Sequence, residues 1–313
     1  MEAQDGPPRP SKRWSPWALF FLGLGLLVLL LVGIVTIGGI TLSSRASARV
    51  EEALAEIREA GEPSSAAELE EHYRLPPGVE DTTDLWLDAT RPLATEDFTA
   101  DAGELPIVGT GESEIPLPGE PWPGLEAAEE LLEDYRHSLD LMHQAAELGG
   151  AARYPTNFSL GFDMLLEYAQ NLRAGARLLL LESHVLAHRG DLAGAARSIH
   201  AIFMLANSLD LEPVLVSELV RLACDSIARE RIEALLPTVD FSDEDLLRLQ
   251  DDLRAIDYHE NLYQAMIGER VIGIVGFESA DFLGLEIEGG KAKLWRFTQR
   301  GGFVVYLQHM DRM

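Results

Sequence analysis

The fold is decided by residues 160–209, which read LGFDMLLEYAQNLRAGARLLLLESHVLAHRGDLAGAARSIHAIFMLANSL. Apolar side chains recur three and four positions apart on both sides of Gly190-Asp191, so each half predicts a helix with one buried face. A glycine after one helix and an aspartate before the next predict a short turn between them. Residues 160–209 therefore predict a helical hairpin.

A third helix follows the hairpin. Glu212-Pro213 opens it, with proline in the first turn, where an N–H has no helical partner, and Pro237 ends it. The small residues of the turn region 190–195 resemble those of a tetratricopeptide-type (TPR) hairpin. Only one such unit is visible, whereas a solenoid needs about three. We therefore predict an all-α fold, a TPR-like bundle of helical hairpins.

Residues 125–283 form the predicted helical domain. Besides the hairpin and the third helix, this domain contains helices predicted over Glu126–Leu148 and Tyr258–Phe277. Ser242 is a strong N-cap for one more helix between residues 237 and 258. Residues 284–313 are predicted as an irregular tail.

Two segments of different character precede this domain. Residues 43–91 predict an acidic stalk with short helices. Prolines and glycines exclude long helices from residues 92–124, yet apolar residues such as Leu105, Val108 and Trp122 lie among them. Because a pure linker rarely carries such side chains, we predict that residues 92–124 wrap the helical domain in extended form.

Residues 17–42 predict a transmembrane signal anchor behind a short cytoplasmic tail, residues 1–16. Trp17–Ile40 are 24 residues without a charge, and about 20 apolar residues are enough to span a bilayer. A cleavable signal peptide is the alternative, because residues 46–48 (Ala-Ser-Ala) resemble a processing site. The hydrophobic region of a signal peptide, however, has only about 7–15 residues. We therefore predict an uncleaved anchor in the lipid bilayer.

Basic residues indicate the orientation of this anchor. Three of them lie before it, within residues 1–16, and two follow it, at Arg45 and Arg49. By the positive-inside rule this favours a cytoplasmic N-terminus. We therefore predict a single-pass protein of the inner membrane, in a bacterial envelope, whose C-terminal domain faces the extracytoplasmic side.

The charge of the chain is negative and unevenly distributed. The net charge is −27, and residues 50–150, with 26 acidic and 4 basic side chains, account for −22 of it. Such a surface repels phosphate, so nucleic acid is not an expected partner.

Several short motifs resemble those of one protein family. In chain order they are Leu105-Pro106-Ile107-Val108-Gly109, Pro118-Gly119-Glu120-Pro121-Trp122-Pro123, Arg153-Tyr154-Pro155 and Gly268-Glu269-Arg270. Their residues and their order along the chain resemble those of an uncharacterised family of signal-anchored helical proteins of planctomycete-type bacteria. The resemblance covers most of residues 45–277. The resemblance implies a signal anchor and a helical domain but no activity, so it assigns no functional residue. Ala152 departs from it, since a cysteine is expected before Arg-Tyr-Pro.

One polar line lies on the third helix. Ser217, Arg221 and Asp225 are four positions apart, which places them on one face of an otherwise apolar helix. Arg221 and Asp225 could form a simple ion pair, or the line could be the floor of a ligand pocket that faces His200 or Asn207 across the hairpin. These five are the candidate ligand-binding residues.

Candidate metal ligands and nucleophiles are few. His184 and His188 lie four positions apart on one helix, so both could face one zinc ion, but no His-Glu-x-x-His motif and no third ligand accompany them. Cys224 is a lone cysteine inside a predicted helix, where a buried thiol is expected. No Gly-rich phosphate loop, Gly-x-Ser-x-Gly elbow or Cys-x-x-Cys pair occurs. We predict no catalytic residue and no cofactor.

These observations favour a membrane-anchored helical interaction or scaffold module with a protein partner over an enzyme. The alternative is a small-ligand-binding or hydrolytic envelope protein that uses a polar groove in the helical domain. The sequence leaves open the identity of the partner and the oligomeric state.

Overall fold

The computed structural model of the chain describes residues 48–278 and Met310. The chain divides into two units, Met1–Ala55 with Glu288–Arg312, and Glu56–Ile287 with Met313. Within residues 48–278 the regular structure is helical, and no β-strand occurs there. The predicted all-α fold is thus confirmed for this part of the chain.

The helices of the larger unit have the following bounds. They are α1 (Ala66–His72), α2 (Thr83–Thr90), α3 (Glu96–Ala102), α4 (Leu125–Asp134), α5 (Arg136–Leu148), α6 (Glu167–Arg189), α7 (Leu192–Asn207), α8 (Leu215–Leu235), α9 (Asp243–Ala255) and α10 (Tyr258–Glu278), with 3-10 helices at Arg91–Ala94 and Phe158–Asp163. Residues 48–59, which precede α1, are helical as well.

The hairpin α6–α7 forms at the turn that the sequence predicts. Gly190 ends α6 in the left-handed conformation, with φ at 79°, which glycine adopts without steric cost. Asp191 then caps α7, because its side chain accepts a hydrogen bond from the N–H of Gly194 at 2.9 Å. The turn thereby satisfies backbone groups at both helix ends.

The helix α7 lies at the centre of the bundle and packs against α5, α6, α8 and α9. It is buried almost all round because its side chains are small or apolar. The next helix, α8, runs parallel to α6. The hydroxyls of Ser217 and Tyr168, near the starts of these two helices, are 3.5 Å apart. Towards their ends Arg231 of α8 donates to the hydroxyl of Ser183 of α6 at 3.0 Å.

The single helix predicted over Glu126–Leu148 is two helices, α4 and α5. They are separated at Tyr135, where φ is −104° and ψ is 22°. This break lets the Tyr135 ring meet Phe98 edge to face, with ring centroids 4.9 Å apart. Its hydroxyl also donates to Asp101 at 2.8 Å. Tertiary contacts of one aromatic side chain therefore outweigh the local preference for a continuous helix.

The predicted start of the first hairpin helix at Leu160 is also wrong. Residues 158–163 form a 3-10 helix, and α6 begins only at Glu167. Gly161 has a φ of 56°, and a Cβ at this position would lie 3.3 Å from the backbone nitrogen of Gly276 in α10. Leu165, predicted on the buried stripe, is 76% exposed. Close approach of the chain to α10 therefore replaces the first turns of the helix.

Residues 92–124 are less extended than predicted. They contain the end of the first 3-10 helix and all of α3. The tight loop after α3 has no room for side chains at two glycines, since a Cβ at Gly109 would lie 2.4 Å from the carbonyl oxygen of Gly103 and one at Gly111 would lie 2.0 Å from that of Glu104. Val108 and Trp122 do pack against the core of the helical domain.

The predicted anchor, residues 17–42, and most of the predicted tail lie outside the described residues. No helix in the described part of the chain is long and apolar enough to cross a bilayer.

The helix α10 joins the start of α8 through the motif Gly268-Glu269-Arg270. A Cβ at Gly268 would lie 1.6 Å from the carbonyl oxygen of Pro213. Glu269 accepts a hydrogen bond from the N–H of Leu215 at 3.1 Å, at the helix end where a carboxylate is favoured. Arg270 pairs with Glu62 at 2.6 Å. Each residue of the motif thus holds α10 against a neighbouring segment.

Gly268→Ala is expected to lower the free energy of unfolding of the full chain by about 1–3 kcal/mol, because the added methyl group fits only if α10 moves away from Pro213. In an unconstrained helix the same change would raise stability by about 0.5–1 kcal/mol. Urea unfolding, followed by circular dichroism, gives the sign of the change in the free energy of unfolding. A variant at least as stable as the wild type would contradict the close approach.

Candidate functional site

The inward face of α8 carries polar side chains among apolar ones. Its buried side chains include Ser217, Glu218, Arg221 and Asp225. A buried polar group without a partner costs about 1–3 kcal/mol. These side chains belong to two groups of contacts, which include residues of α8 itself and of the segments around it.

The carboxyl group of Glu212, buried just before α8, is the centre of the first group. The hydroxyl of Tyr73 donates to one carboxyl oxygen and that of Tyr168 to the other. Ser217 donates to the second oxygen as well, at 3.2 Å. The three donors lie at the end of α1, the start of α6 and the start of α8. One carboxyl group therefore ties three helices together.

Tyr154, in the loop before the second 3-10 helix, completes this group. Its backbone N–H donates to the Tyr73 hydroxyl at 2.8 Å. Its ring stacks on that of Tyr168, with centroids 4.6 Å apart and planes inclined by 6°. Its hydroxyl shares a hydrogen bond with Ser208 at 2.7 Å. We call Tyr73, Tyr154, Tyr168, Ser208, Glu212 and Ser217 the Glu212 group.

The enclosed position of the Glu212 group shifts its acid–base properties. Burial raises the pKa of Glu212 to about 7, against the lowering effect of the hydroxyls of Tyr168, Tyr73 and Ser217. Burial, followed by the charge of Glu212, raises the pKa of Tyr73 and of Tyr168 above the usual range. Both tyrosines therefore remain hydrogen-bond donors, while the carboxyl group changes its protonation near neutral pH.

Arg221 is the centre of the second group. Its side chain is only 1% exposed, and its Nε donates to Glu218 at 2.9 Å. Its Nη1 lies 3.3 Å from Asp210 and 3.7 Å from Asp225. The guanidinium also lies over the ring of Tyr258, 5.5 Å from the centroid. We call Asp210, Glu218, Arg221, Asp225 and Tyr258 the Arg221 group.

The Arg221 group has more acids than bases. Asp225 is completely buried, and neither of its carboxyl oxygens has a hydrogen-bond partner. Burial raises the pKa of Asp225 to about 7, although the charge of Arg221 lowers it. Because Arg221 faces three carboxyl groups, its removal would leave buried acids without a cation.

The structure does not bring the five candidate ligand-binding residues together in one place. Arg221 and Asp225 form the i, i+4 pair that the sequence suggests. Ser217 belongs to the Glu212 group. His200 contacts Asp252 of α9, with its Nδ1 2.9 Å from the carboxylate, and the amide of Asn207 lies 4.0 Å from the sulfur of Met204. The contacts of His200 and Asn207 are thus not those of one shared pocket floor, and a ligand-binding role for these five residues stays a prediction.

His184 and His188 do lie together, but without a third ligand. The His188 Nδ1 donates to the carbonyl oxygen of His184 at 2.9 Å. Across residues 48–278 no group of three or more His, Cys, Asp or Glu side chains could hold a metal ion. Metal binding here stays a prediction based on the two histidines. Burial raises the pKa of Cys224 to about 12, so this thiol is not ionised at neutral pH.

Of the Glu212 group, only Ser217 is among the site residues that the sequence predicts. Glu212 is predicted as part of a helix start, although α8 begins at Leu215. Tyr73, Tyr154 and Tyr168 are far from one another in sequence, and no spacing connects them. A carboxylate directly before a proline, at the border of an apolar helix, is the only local signal that pointed to Glu212.

Comparisons of this chain with protein-family models, with curated proteins and with solved structures found no match.

Arg221→Met is expected to lower the free energy of unfolding by about 3–5 kcal/mol at pH 7, because the buried carboxyl groups of Glu218 and Asp225 then lack their cation. The loss should shrink as the pH falls, because burial raises the pKa of Asp225 to about 7 and this carboxyl group then takes up a proton. Arg229→Met, on the exposed side of the same helix, is the matched control and should change stability little. Chemical unfolding at pH 5 and pH 7 distinguishes the two variants. Equal effects would contradict the pairing.

Glu212→Gln is expected to flatten the dependence of stability on pH. The pKa of Glu212 in the folded protein, about 7, lies above the ordinary value of 4.5. The folded state therefore keeps this proton while the unfolded chain releases it, so the contribution of Glu212 is complete below about pH 4.5 and is lost as the pH rises to about 7. The wild type should lose up to about 3 kcal/mol over this window through Glu212. Unfolding free energies measured from pH 4.5 to 7.5 test this, and parallel profiles for both proteins would contradict it.

Proposed function

We propose that the chain is a membrane-anchored helical interaction module whose binding surface for a protein partner is the outward face of α8. Residues 17–42 are the proposed anchor, and the helical domain is proposed to face the extracytoplasmic side. The resemblance to signal-anchored planctomycete-type proteins supports this placement, and the exposed apolar side chains of α8 support the interaction role.

The outward face of α8 carries the proposal. Val216 and Leu219 are 46% and 56% exposed, whereas Ser217, Glu218 and Arg221 are buried on the opposite side. The inward face also buries Val220, Cys224 and Ile232, so Val216 and Leu219 are apolar side chains beyond those that the core takes up. Exposed apolar side chains that lie side by side on one helix are typical of interaction surfaces.

The arrangement of α6, α7 and α8 supports a TPR-like module. The parallel helices α6 and α8 contact each other and both pack against α7, so successive helices alternate in direction. Helical repeats stacked in this way offer extended surfaces to partners. The single unit here is proposed to offer one such surface.

The charge of the chain indicates the chemistry of the partner. Beyond the apolar half, the outward face of α8 carries exposed Glu230 and Glu233 beside one exposed base, Arg229, and is thus acidic by one charge. Residues 50–150 add a net charge of −22. Apolar side chains within a basic surface, for example on an amphipathic helix, would complement both features. We therefore propose a partner segment with an apolar stripe flanked by lysine or arginine.

Leu219→Glu is expected to abolish capture of this partner without unfolding the protein, because the side chain is exposed. The measurement is affinity capture of full-length protein from cross-linked native membranes, quantified by mass spectrometry. Arg229→Glu is the matched control, since it also adds negative charge to the exposed side of α8 but outside the apolar residues. One protein lost from the Leu219→Glu sample and kept with the control would support the proposal.

Three outcomes would contradict the proposed binding surface on α8. The first is the same set of proteins with both variants. The second is no stoichiometric protein at good recovery of the wild type. The third is a wild-type dimer, seen by light scattering in detergent, that Leu219→Glu converts to a monomer, which would make a second copy the occupant of this face.

A further inference from the structure

Arg231, near the end of α8, is a buried cation without an acidic partner. Its residue is 3% exposed. Its hydrogen bonds go to Ser183 alone, from Nε to the hydroxyl at 3.0 Å and from Nη2 to the carbonyl oxygen at 3.2 Å. No carboxylate in the described part of the chain lies within 4.0 Å of its guanidinium. A buried charge of this kind is costly unless an anion accompanies it.

The lack of an acid beside Arg231 does not follow from the composition of the chain, which is rich in acids. The chain has 52 acidic and 25 basic side chains, and the buried arginines Arg221 and Arg270 both have carboxylate partners. Burial alone lowers the pKa of Arg231, to about 10, which is still high enough to keep the guanidinium charged at neutral pH. The counter-charge that other buried arginines receive from the protein is therefore missing at this one.

Further atoms without a partner belong to His184, whose pKa the charge of Arg231 lowers, and to His188, one turn further along α6. The Nδ1 of His184 and the Nε2 of His188 are buried and have no hydrogen-bond partner. Burial, then the charges of Arg231 and His188, lowers the pKa of His184 to about 3, so its ring is neutral. A neutral ring that carries its proton on Nδ1 can donate one hydrogen bond.

The positive charge of Arg231 decides between a metal ion and an anion at these histidines. A metal cation would meet repulsion from the guanidinium and would find only two protein ligands. An anion would be attracted by the same charge. We propose that Arg231, together with the Nδ1 of His184, binds a small monovalent anion, either a free halide ion or a single carboxylate group.

The free donors of Arg231 form one edge of its guanidinium. The other edge, formed by Nε and Nη2, is occupied by Ser183. Nη1 and the second N–H of Nη2 remain for an anion. The single positive charge of this edge suits an anion of one negative charge, either a halide or a carboxylate.

The test is thermal unfolding of the full-length protein, purified in a non-ionic detergent, with sodium bromide or sodium acetate. Sodium toluenesulfonate, a bulky anion, keeps the ionic strength constant. The melting temperature of the wild type should rise as bromide or acetate is added, because only the folded state binds the anion. Arg231→Met should lose this rise. Arg229→Met, which removes an exposed cation two residues away, should keep it.

The two salts separate the two sources of the anion. A response to bromide alone assigns a free halide, and a response to acetate assigns a carboxylate. Equal responses of Arg231→Met and Arg229→Met would overturn the proposal, as would no response of the wild type to either salt.

A second measurement does not depend on a folded variant. Crystals of the wild type soaked in bromide should show an anomalous peak in contact with the Arg231 guanidinium. Bromide peaks confined to surface lysines and arginines would overturn halide binding. If acetate also leaves the melting temperature unchanged, such surface-only bromide peaks would overturn the whole proposal.

Discussion

The packing of this helical domain depends on a polar face that is buried. α8 directs Ser217, Glu218, Arg221 and Asp225 inwards, and polar groups in a low-dielectric interior must be paired. Their partners lie on different segments, so satisfying them fixes the neighbours of α8 as well. Tyr73 lies at the end of α1, Tyr168 at the start of α6 and Tyr258 at the start of α10. Their contacts hold these three helix ends near the start of α8. The hydrophobic core is continuous around α7, but hydrogen bonds determine which segments meet at α8.

The orientation of α8 also fixes its exposed side. The inward face holds Val220, Cys224 and Ile232 together with the polar side chains, and the other apolar residues of α8 lie outside this face. Val216 and Leu219 are among them and are exposed. A partner that covers them would recover the burial that the fold itself does not provide. The unusual interior and the proposed interaction surface are therefore two consequences of one orientation of α8.

Local sequence preferences are overruled where a side chain or a glycine contacts a distant segment. Tyr135 interrupts a predicted helix because its ring and hydroxyl reach Phe98 and Asp101. Gly268 lets Pro213 approach α10 more closely than a Cβ would permit, and Gly161, with its positive φ, lets a second segment lie close against α10. In each case the free energy of a tertiary contact exceeds the few tenths of a kcal/mol per residue by which helix propensities differ, about 0.7 kcal/mol at most for ordinary residues.

The sequence by itself determined the all-α class, the turn at Gly190-Asp191 and the N-cap at Ser242, since periodicity and capping act within a few residues. It also placed Arg221 and Asp225 on one helix face, because spacing fixes that without knowledge of the neighbours. Only the tertiary structure decided that these polar residues point inwards, that Tyr73, Tyr168 and Glu212 meet, and that Arg231 has no acid beside it within the described residues. These facts depend on contacts between residues up to 139 positions apart, as between Tyr73 and Glu212. No local pattern in a single sequence encodes such contacts.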